Sequence, residues 1–388
     1  VKNTPQKLEI LNHFLNFARG ASEDAVPRAS KVSEIFERSE TNQLMTLQFD
    51  SAVSALEKGG EVRGSGERLK NRLQDVQTFL GRDLLLIEET LAAGVSDGPE
   101  PAVSAAKHLV MRGGKRVRPL ALLLAAKCFG SVEGESFYEM AAVVELVHSA
   151  TLLHDDVIDE GDERRGAPTS RKLHGNGVSV LSGDLLLVNA LDRTRRAEPR
   201  LLGELIHTLR RLVDGEIVQL RGRTELDVSE ETYEAILKDK TASLFAFAAS
   251  AGGLMNGASE EQQRALSDFG EALGIAFQLV DDVIDYEGEE TGKTLYADLL
   301  EGKLTLPLVL AIQKDPSLES LVAKIHSGDE SVVAEVSRRV IQSGSCDEVR
   351  ARAKDFTKRA VDSLDALPAC PAREFLRVVA FEMTGRKA

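Results

Sequence analysis

The 388-residue chain has no tryptophan, four tyrosines and three cysteines, and aromatic residues make up only 5% of it. Its core must therefore be aliphatic, and a hydrophobic content of 43% is enough to bury a large one. The cysteines, Cys128, Cys346 and Cys370, are odd in number, widely spaced and in no CxxC or Cys/His pattern. That argues against a disulfide framework or a structural zinc site, and a reducing, cytoplasmic setting is expected. Positive charge is also scarce: 48 Lys and Arg face 62 Asp and Glu, a formal net charge of -14. Nucleic acid is thus a poor partner, because duplex binding draws on a basic face that neutralises phosphates. No uninterrupted apolar run reaches the roughly 18 residues of a spanning helix. The N-terminus shows no basic-then-apolar leader pattern. At most peripheral membrane contact is expected.

What the sequence does have is helical periodicity. Over 72–93, Leu73, Val76, Phe79, Leu80, Leu84, Leu86, Ile87 and Leu91 recur every three to four positions with charges between them, the pattern of an amphipathic helix. Segments 138–153 and 242–255 are apolar nearly all round, as in the central helices of a large bundle. Gly and Pro cluster between these blocks, for instance at 94–101, and the alternation of strands is missing. The expected fold class is all-α, a single large helical bundle around a central cavity. The Gly-rich stretch 57–68 suggests a boundary between a helical N-terminal extension, 1–65, and a catalytic domain, 66–388. Segments 6–18 and 30–57 read as helical but carry no recognisable chemistry. No internal repeat is visible.

Two aspartate motifs stand out. In the first, Asp155 and Asp159 lie one helical turn apart, with Asp156 and Asp159 at i,i+3, so carboxylates converge on one face. The second, Asp281, Asp282 and Asp285, repeats the spacing 126 positions on (281 − 155). Like charges so placed weaken a helix unless a cation offsets them, and Mg2+ takes one or two carboxylates while leaving other positions to water and phosphate. The plainer alternative, solvated acidic helix ends, fits one such motif better than two that each follow an apolar helix. Neither motif has the Asp-x-Asp-x-Asp-Gly loop of a calcium-binding EF-hand. His154, beside Asp155, is read as a packing or hydrogen-bonding residue, and Asp184 as a structural one.

Together with Gly113-Gly114-Lys115-Arg116-Val117-Arg118-Pro119, Arg164-Arg165-Gly166, Lys240-Thr241, Gly292-Lys293, Asp298 and Gly302-Lys303-Leu304-Thr305, these motifs resemble the trans-isoprenyl diphosphate synthase family over about 110–307. The resemblance implies a prenyltransferase that condenses isopentenyl diphosphate with an allylic diphosphate primer. It implies Mg2+ as cofactor, three ions to a site, with Asp155, Asp156, Asp159, Asp281, Asp282 and Asp285 as the metal-binding set. Lys115, Arg118, His148 and Arg165 match the isopentenyl diphosphate cradle. Arg164, Lys240, Lys293 and Lys303 match the groups that hold the allylic diphosphate, with Thr241 and Gln278 as polar neighbours. Asp155, Asp159, Asp281, Lys240 and Arg164 match the catalytic set. Without the resemblance, His148 reads rather as a satisfied core histidine, and Lys293 and Lys303 have a plain alternative as solvated loop lysines.

In this family the residues five and four positions before the first motif, here Ala150 and Thr151, limit product length. Neither is bulky, so the product implied is geranylgeranyl or longer, in the hexaprenyl to decaprenyl range. A homodimer is implied too. Two rivals are a class I terpene cyclase, whose second metal motif differs and which has no use for Lys115, Arg118 and Arg165, and a non-catalytic subunit of a heteromeric synthase, which would have lost metal or phosphate residues.

Overall fold

The computed structural model describes residues 79–112, 114–164, 166–287 and 296–385. The expected extension, 1–65, and its boundary lie outside these residues, as do Arg165 and Lys293. Helices α1 (Gly81–Val95), α2 (Ala102–Val110), α3 (Val117–Lys127) and α4 (Glu135–Ile158) come first. A two-residue β ribbon follows, β1 (Glu163–Arg164) with β2 (Ala167–Pro168), the one strand pair among the described residues. Then come α5 (Ser170–His174), α6 (Asn176–Ala197), α7 (Leu202–Glu225) and α8 (Glu230–Ile236), a π-helical turn (Leu237–Ala242), α9 (Ser243–Met255) and α10 (Glu260–Glu287). Short helices close the chain: α11 (Ala297–Leu300), α12 (Leu306–Lys314), α13 (Leu318–His326) and α14 (Val333–Gln342), then the longer α15 (Ser345–Ser363) and α16 (Pro371–Thr384).

Of the helices read from periodicity, those at 138–153 and 242–255 are there, and the described part of the one read over 72–93 is α1, its residues 72–78 lying outside the described ones; the all-α class stands with them. The segment 138–153 forms the middle of α4, whose Met140 to Val147 are all buried. The segment 242–255 is α9, wedged between α3 and α10 and enclosed from Leu244 to Ala249. An aliphatic sequence with few aromatics packs in this way, by surrounding all-apolar helices with amphipathic ones. Two hydrophobic clusters result. One is built on α1, α3, α4, α6, α9 and α16, the other on α8, α12, α13, α14 and α15. Helix α10 belongs to both: Leu266, Phe269 and Leu273 enter the first, and Leu279, Val280, Val283 and Ile284 the second. At 28 residues and ~1.5 Å per residue it spans about 42 Å, long enough to join them.

Candidate active site

Both aspartate motifs sit at the C-terminal ends of long helices, α4 and α10. Asp155 and Asp156 lie in the last turn of α4 and Asp159 is its C-cap, its N–H donating to the Asp155 carbonyl at 2.8 Å. Asp281, Asp282 and Asp285 occupy the last two turns of α10. A helix C-terminus already carries partial negative charge, so carboxylates there are doubly disfavoured and demand cations.

The structure supplies cations to the first motif. Lys240 Nζ lies 3.8 Å from Asp155 Oδ2 and also pairs with Glu216. Lys303 Nζ lies 3.2 Å from Asp159 and 3.4 Å from Asp298, and pairs with Glu301. Arg164 Nε donates to Asp156 Oδ1 at 2.6 Å. Negative charge still predominates. Burial first, then Glu216 and Asp159, push the Asp155 carboxyl up to about 6 despite Lys240 and Lys303. Burial works against the Lys303 charge, but Asp298, Glu301 and Asp159 outweigh it and hold this ammonium above its usual range.

The second motif is treated differently. Asp282 is fully enclosed, accepting from Tyr233 Oη at 2.5 Å and Gln278 Nε2 at 2.9 Å. Burial, with Asp298 and Asp281 nearby, raises it to about 7. Asp285 accepts the N–H groups of Ala297 and Asp298, at 3.1 and 3.3 Å, and so anchors the start of α11; burial and Asp298 raise it to about 7. Asp281 is half-buried and close enough to the Arg118 guanidinium to interact with it.

Two chains of contact join the motifs. One runs from Asp155 through Lys240 to the adjacent Thr241, whose Oγ1 donates to Gln278 Oε1 at 3.4 Å, and on to Asp282. The other runs from Asp159 through Lys303 to Asp298, whose N–H is held by Asp285. Lys240 and Thr241 can take part because they lie on the π-helical turn, an irregularity that recurs at functional sites. Gly215 on α7 permits it: a Cβ there would stand 2.7 Å from the Lys240 amide nitrogen.

Cations from the 115–118 segment approach the second motif. Arg118, in the first turn of α3, sits 4.2 Å over the Phe245 ring with its Nε enclosed and unpartnered. Burial draws its guanidinium down to about 10 against the attraction of Glu145 and Asp281. Lys115 is exposed, 6.0 Å over the Phe277 ring. His148 is half-buried two turns before Asp155 on α4, and Ala150 is fully buried beside half-buried Thr151. His154 Nε2 donates to the Val180 carbonyl at 3.2 Å and lies 3.3 Å from Asp184 Oδ1, so both residues make contacts between α4 and α6.

Several residues here carry no assignment from sequence. Arg116, between Lys115 and Arg118, is buried at φ 47° and grips Glu145 and Glu88, each at 2.7 Å, and the Val110 carbonyl at 2.9 Å. Glu145 belongs to α4, so this arginine fixes the 114–118 loop to the helix of the first aspartate motif. Its motif was visible, but its role was not. Glu216 had a faint signal as an acid within the apolar stretch GEIVQL, and Tyr233 had none.

Among the described residues, no three His, Cys, Asp or Glu side chains cluster closely enough to hold a metal by themselves. Mg2+ does not require that, since it binds through one or two carboxylates and completes its shell with water and phosphate. The donor set suits it: hard oxygens on Asp155, Asp159 and Asp281, and a surplus of negative charge that, with burial, presses on Asp155 from Glu216 and Asp159.

Residues 100–342 match the family model described as polyprenyl synthetase. The chain belongs to the polyprenyl synthetase family. It is an enzyme of that prenyl-transferring class, with the all-α isoprenoid synthase fold. It is 38% identical to octaprenyl diphosphate synthase of Escherichia coli over 275 residues, 69% of this chain and 85% of that one. It is 32% identical to a short chain isoprenyl diphosphate synthase of Methanothermobacter thermautotrophicus, over 79% of this chain and 98% of that one. Among solved structures, a polyprenyl synthase of Caulobacter crescentus complexed with calcium and isoprenyl diphosphate superposes with a TM-score of 0.77, at 33% identity, covering 84% of this chain and all of that one.

Proposed function

We propose that this enzyme adds isopentenyl diphosphate repeatedly to an allylic diphosphate primer and releases a long-chain trans-polyprenyl diphosphate, hexaprenyl to decaprenyl in length. The observation that carries this reading is the pair of contact chains that ties the two acidic helix ends to one another through Lys240 and Lys303. Asp155, Asp159 and Asp281 would hold Mg2+, which when bound supplies charge stabilisation to a departing diphosphate. Asp156, Asp282 and Asp285 would instead position that set, since each is already engaged by Arg164, by Tyr233 and Gln278, or by backbone N–H groups. Three ions per site are carried over as part of the proposal.

Lys240, Lys303, Arg164 and Lys293 take the allylic diphosphate, with Thr241 and Gln278 orienting Lys240. As the allylic C–O bond breaks, these preorganised cations meet the charge that develops on the leaving oxygens. Lys115, Arg118, His148 and Arg165 take the second diphosphate. Arg118 suits that role because its enclosed Nε has a donor to spare. The double bond of isopentenyl diphosphate then attacks the allylic cation, and a proton is lost to the released diphosphate. The cation survives only in a dry pocket, consistent with the buried faces of α4 and α9. Small Ala150 and Thr151 leave room for a tail longer than farnesyl.

The chain would act as a cytoplasmic homodimer. Leu181 and Val188 on α6 and Ile206, Val213 and Ile217 on α7 are each more than half exposed, an apolar stripe suited to a second copy. No described helix is long and apolar enough to cross a membrane. The decisive assay incubates purified protein with Mg2+, labelled isopentenyl diphosphate and a panel of allylic primers, then sizes the products. Chains of hexaprenyl length or more support the proposal. No incorporation with any primer, or incorporation as strong in Asp155→Ala and Asp281→Ala, overturns it.

A further inference from the structure

Helix α7 meets the π-helical turn that carries Lys240 at Arg211, Gly215 and Glu216. Arg211 Nε donates to Asp239 Oδ1 at 2.7 Å, and its Nη2 donates to the Lys238 carbonyl at 3.1 Å. Gly215 lets the two backbones close up, since a Cβ there would meet the Lys240 amide nitrogen at 2.7 Å and the Lys240 Cβ at 3.1 Å. Glu216 pairs with the Lys240 ammonium itself. One helix thus fixes the backbone just before Lys240, the approach of Lys240 and the place of its charge.

That ammonium lies between two carboxylates from different helices. Glu216 is the nearer, while Asp155 Oδ2 on α4 stands 3.8 Å away, beyond hydrogen-bond distance. The three side chains are largely enclosed, with 20% of Lys240, 14% of Glu216 and 18% of Asp155 exposed, so solvent screens them little. A lysine ammonium is a compact charge on a flexible four-carbon stem, and with Asp155 as its nearest carboxylate it would close on that residue. Glu216 draws it the other way.

We infer that Glu216 is a positioning residue for prenyl transfer. It holds the Lys240 ammonium off Asp155, which leaves the Asp155 oxygens to the metal and the ammonium to the substrate. The inference rests on the reading of Lys240 as a ligand of the allylic diphosphate. Arg211 and Gly215 serve the same end by fixing the turn from which Lys240 projects. The sign of the effect separates this role from a simple field effect. A carboxylate beside a diphosphate site repels the ligand, so on charge alone its removal would strengthen diphosphate binding. Positioning predicts weaker use of the allylic diphosphate and little change for isopentenyl diphosphate, whose proposed cations Lys115 and Arg118 belong to another segment.

The test measures initial rates of labelled isopentenyl diphosphate incorporation by the full chain at saturating Mg2+, with each diphosphate varied in turn. Glu216→Gln keeps the shape of the side chain and removes its charge. It should lower kcat/KM for the allylic primer by about 10- to 100-fold, the scale of a misplaced catalytic group, with KM for isopentenyl diphosphate little changed. Glu216→Asp keeps the charge but shortens its reach by one methylene and should act in the same direction; it asks the same question if circular dichroism shows the glutamine variant unfolded. Gly215→Ala, which displaces the Lys240 backbone, should give the same pattern. Lys240→Ala is the reference, and in that background Glu216→Gln should have no further effect, because it acts through the ammonium. An unchanged allylic kcat/KM in Glu216→Gln, a lowered KM for both diphosphates, or an effect undiminished on top of Lys240→Ala overturns the inference and leaves the assignment of Lys240 standing. A Lys240→Ala enzyme with the parent's allylic kcat/KM removes that assignment, and the inference with it.

Discussion

Replacing Arg116 separates two physical effects that the structure superimposes at one position. Its side chain is 6% exposed and pairs at 2.7 Å with Glu145, itself 5% exposed. Removing the arginine leaves the buried Glu145 carboxylate without its hydrogen-bonded partner and with only the charge of Arg118, which does not hydrogen-bond to it, a change that costs ~3–5 kcal/mol. The backbone at φ 47° and ψ 32° is left-handed, a conformation that costs a residue with a Cβ roughly 1–2 kcal/mol and glycine almost nothing. Arg116→Ala therefore loses the ion pair and keeps the backbone penalty. Arg116→Gly loses the pair and relieves it. We expect the alanine variant to lose ~3–5 kcal/mol and the glycine variant to be more stable than alanine by about 1 kcal/mol. This reverses the ordering of these residues within helices. Urea denaturation of the three proteins at one concentration, compared at constant slope, reads both differences. Because Lys115 and Arg118 flank the position, both variants should also raise KM for isopentenyl diphosphate more than for the allylic primer. An alanine variant as stable as glycine, or either variant as stable as the parent, would refute the reasoning.

Ala150→Phe places a ring at a position with no exposed surface; its products should shorten to farnesyl or geranylgeranyl length, with about 1–3 kcal/mol lost to overpacking, and an unchanged product ladder on chromatography would remove the tunnel assignment. Leu181→Arg together with Val188→Arg should halve the mass found by light scattering, since both side chains are on the exposed stripe of α6; an unaltered mass would place the subunit contact elsewhere. A pH effect follows from Asp155 at about 6 and Asp282 and Asp285 at about 7, all above the 3.8 of a free aspartyl group. The folded metal-free protein binds more protons than the unfolded chain across this range, so its stability is fullest near the lower value and declines as pH rises towards 7. Added Mg2+ competes with the proton on Asp155, the raised group among the three that would hold it, and should stabilise strongly at pH 8 and little at pH 5. Urea titrations with and without Mg2+ check both slopes, and Asp282→Asn should flatten the metal-free one. A metal-free protein that gains stability between pH 5.5 and 7, with no flattening in that variant, would contradict the assignment.

The helical class, the central position of α4 and α9, and the helical placement of both aspartate motifs were legible in the sequence because they depend on local periodicity, which needs no knowledge of neighbours. What answers each carboxylate was not legible. The contacts of Lys303 with Asp159, Tyr233 with Asp282, and Arg116 with Glu145 all cross long stretches of chain. They depend on close approaches such as the one Gly215 allows. The aspartate motifs show the limit most clearly. Their spacing is identical, and helical geometry alone makes their six carboxylates interchangeable between the two motifs. Environment breaks that equivalence: Asp282 and Asp285 spend their oxygens on Tyr233, Gln278 and two backbone N–H groups, whereas Asp155 and Asp159 face the side-chain ammoniums of Lys240 and Lys303, which a substrate phosphate can draw away. A buried carboxylate already satisfied by fixed donors gains little from a metal, and one held only by a displaceable cation gains much. The clamp is therefore expected to be lopsided, with Asp155 and Asp159 on one side and Asp281 alone on the other.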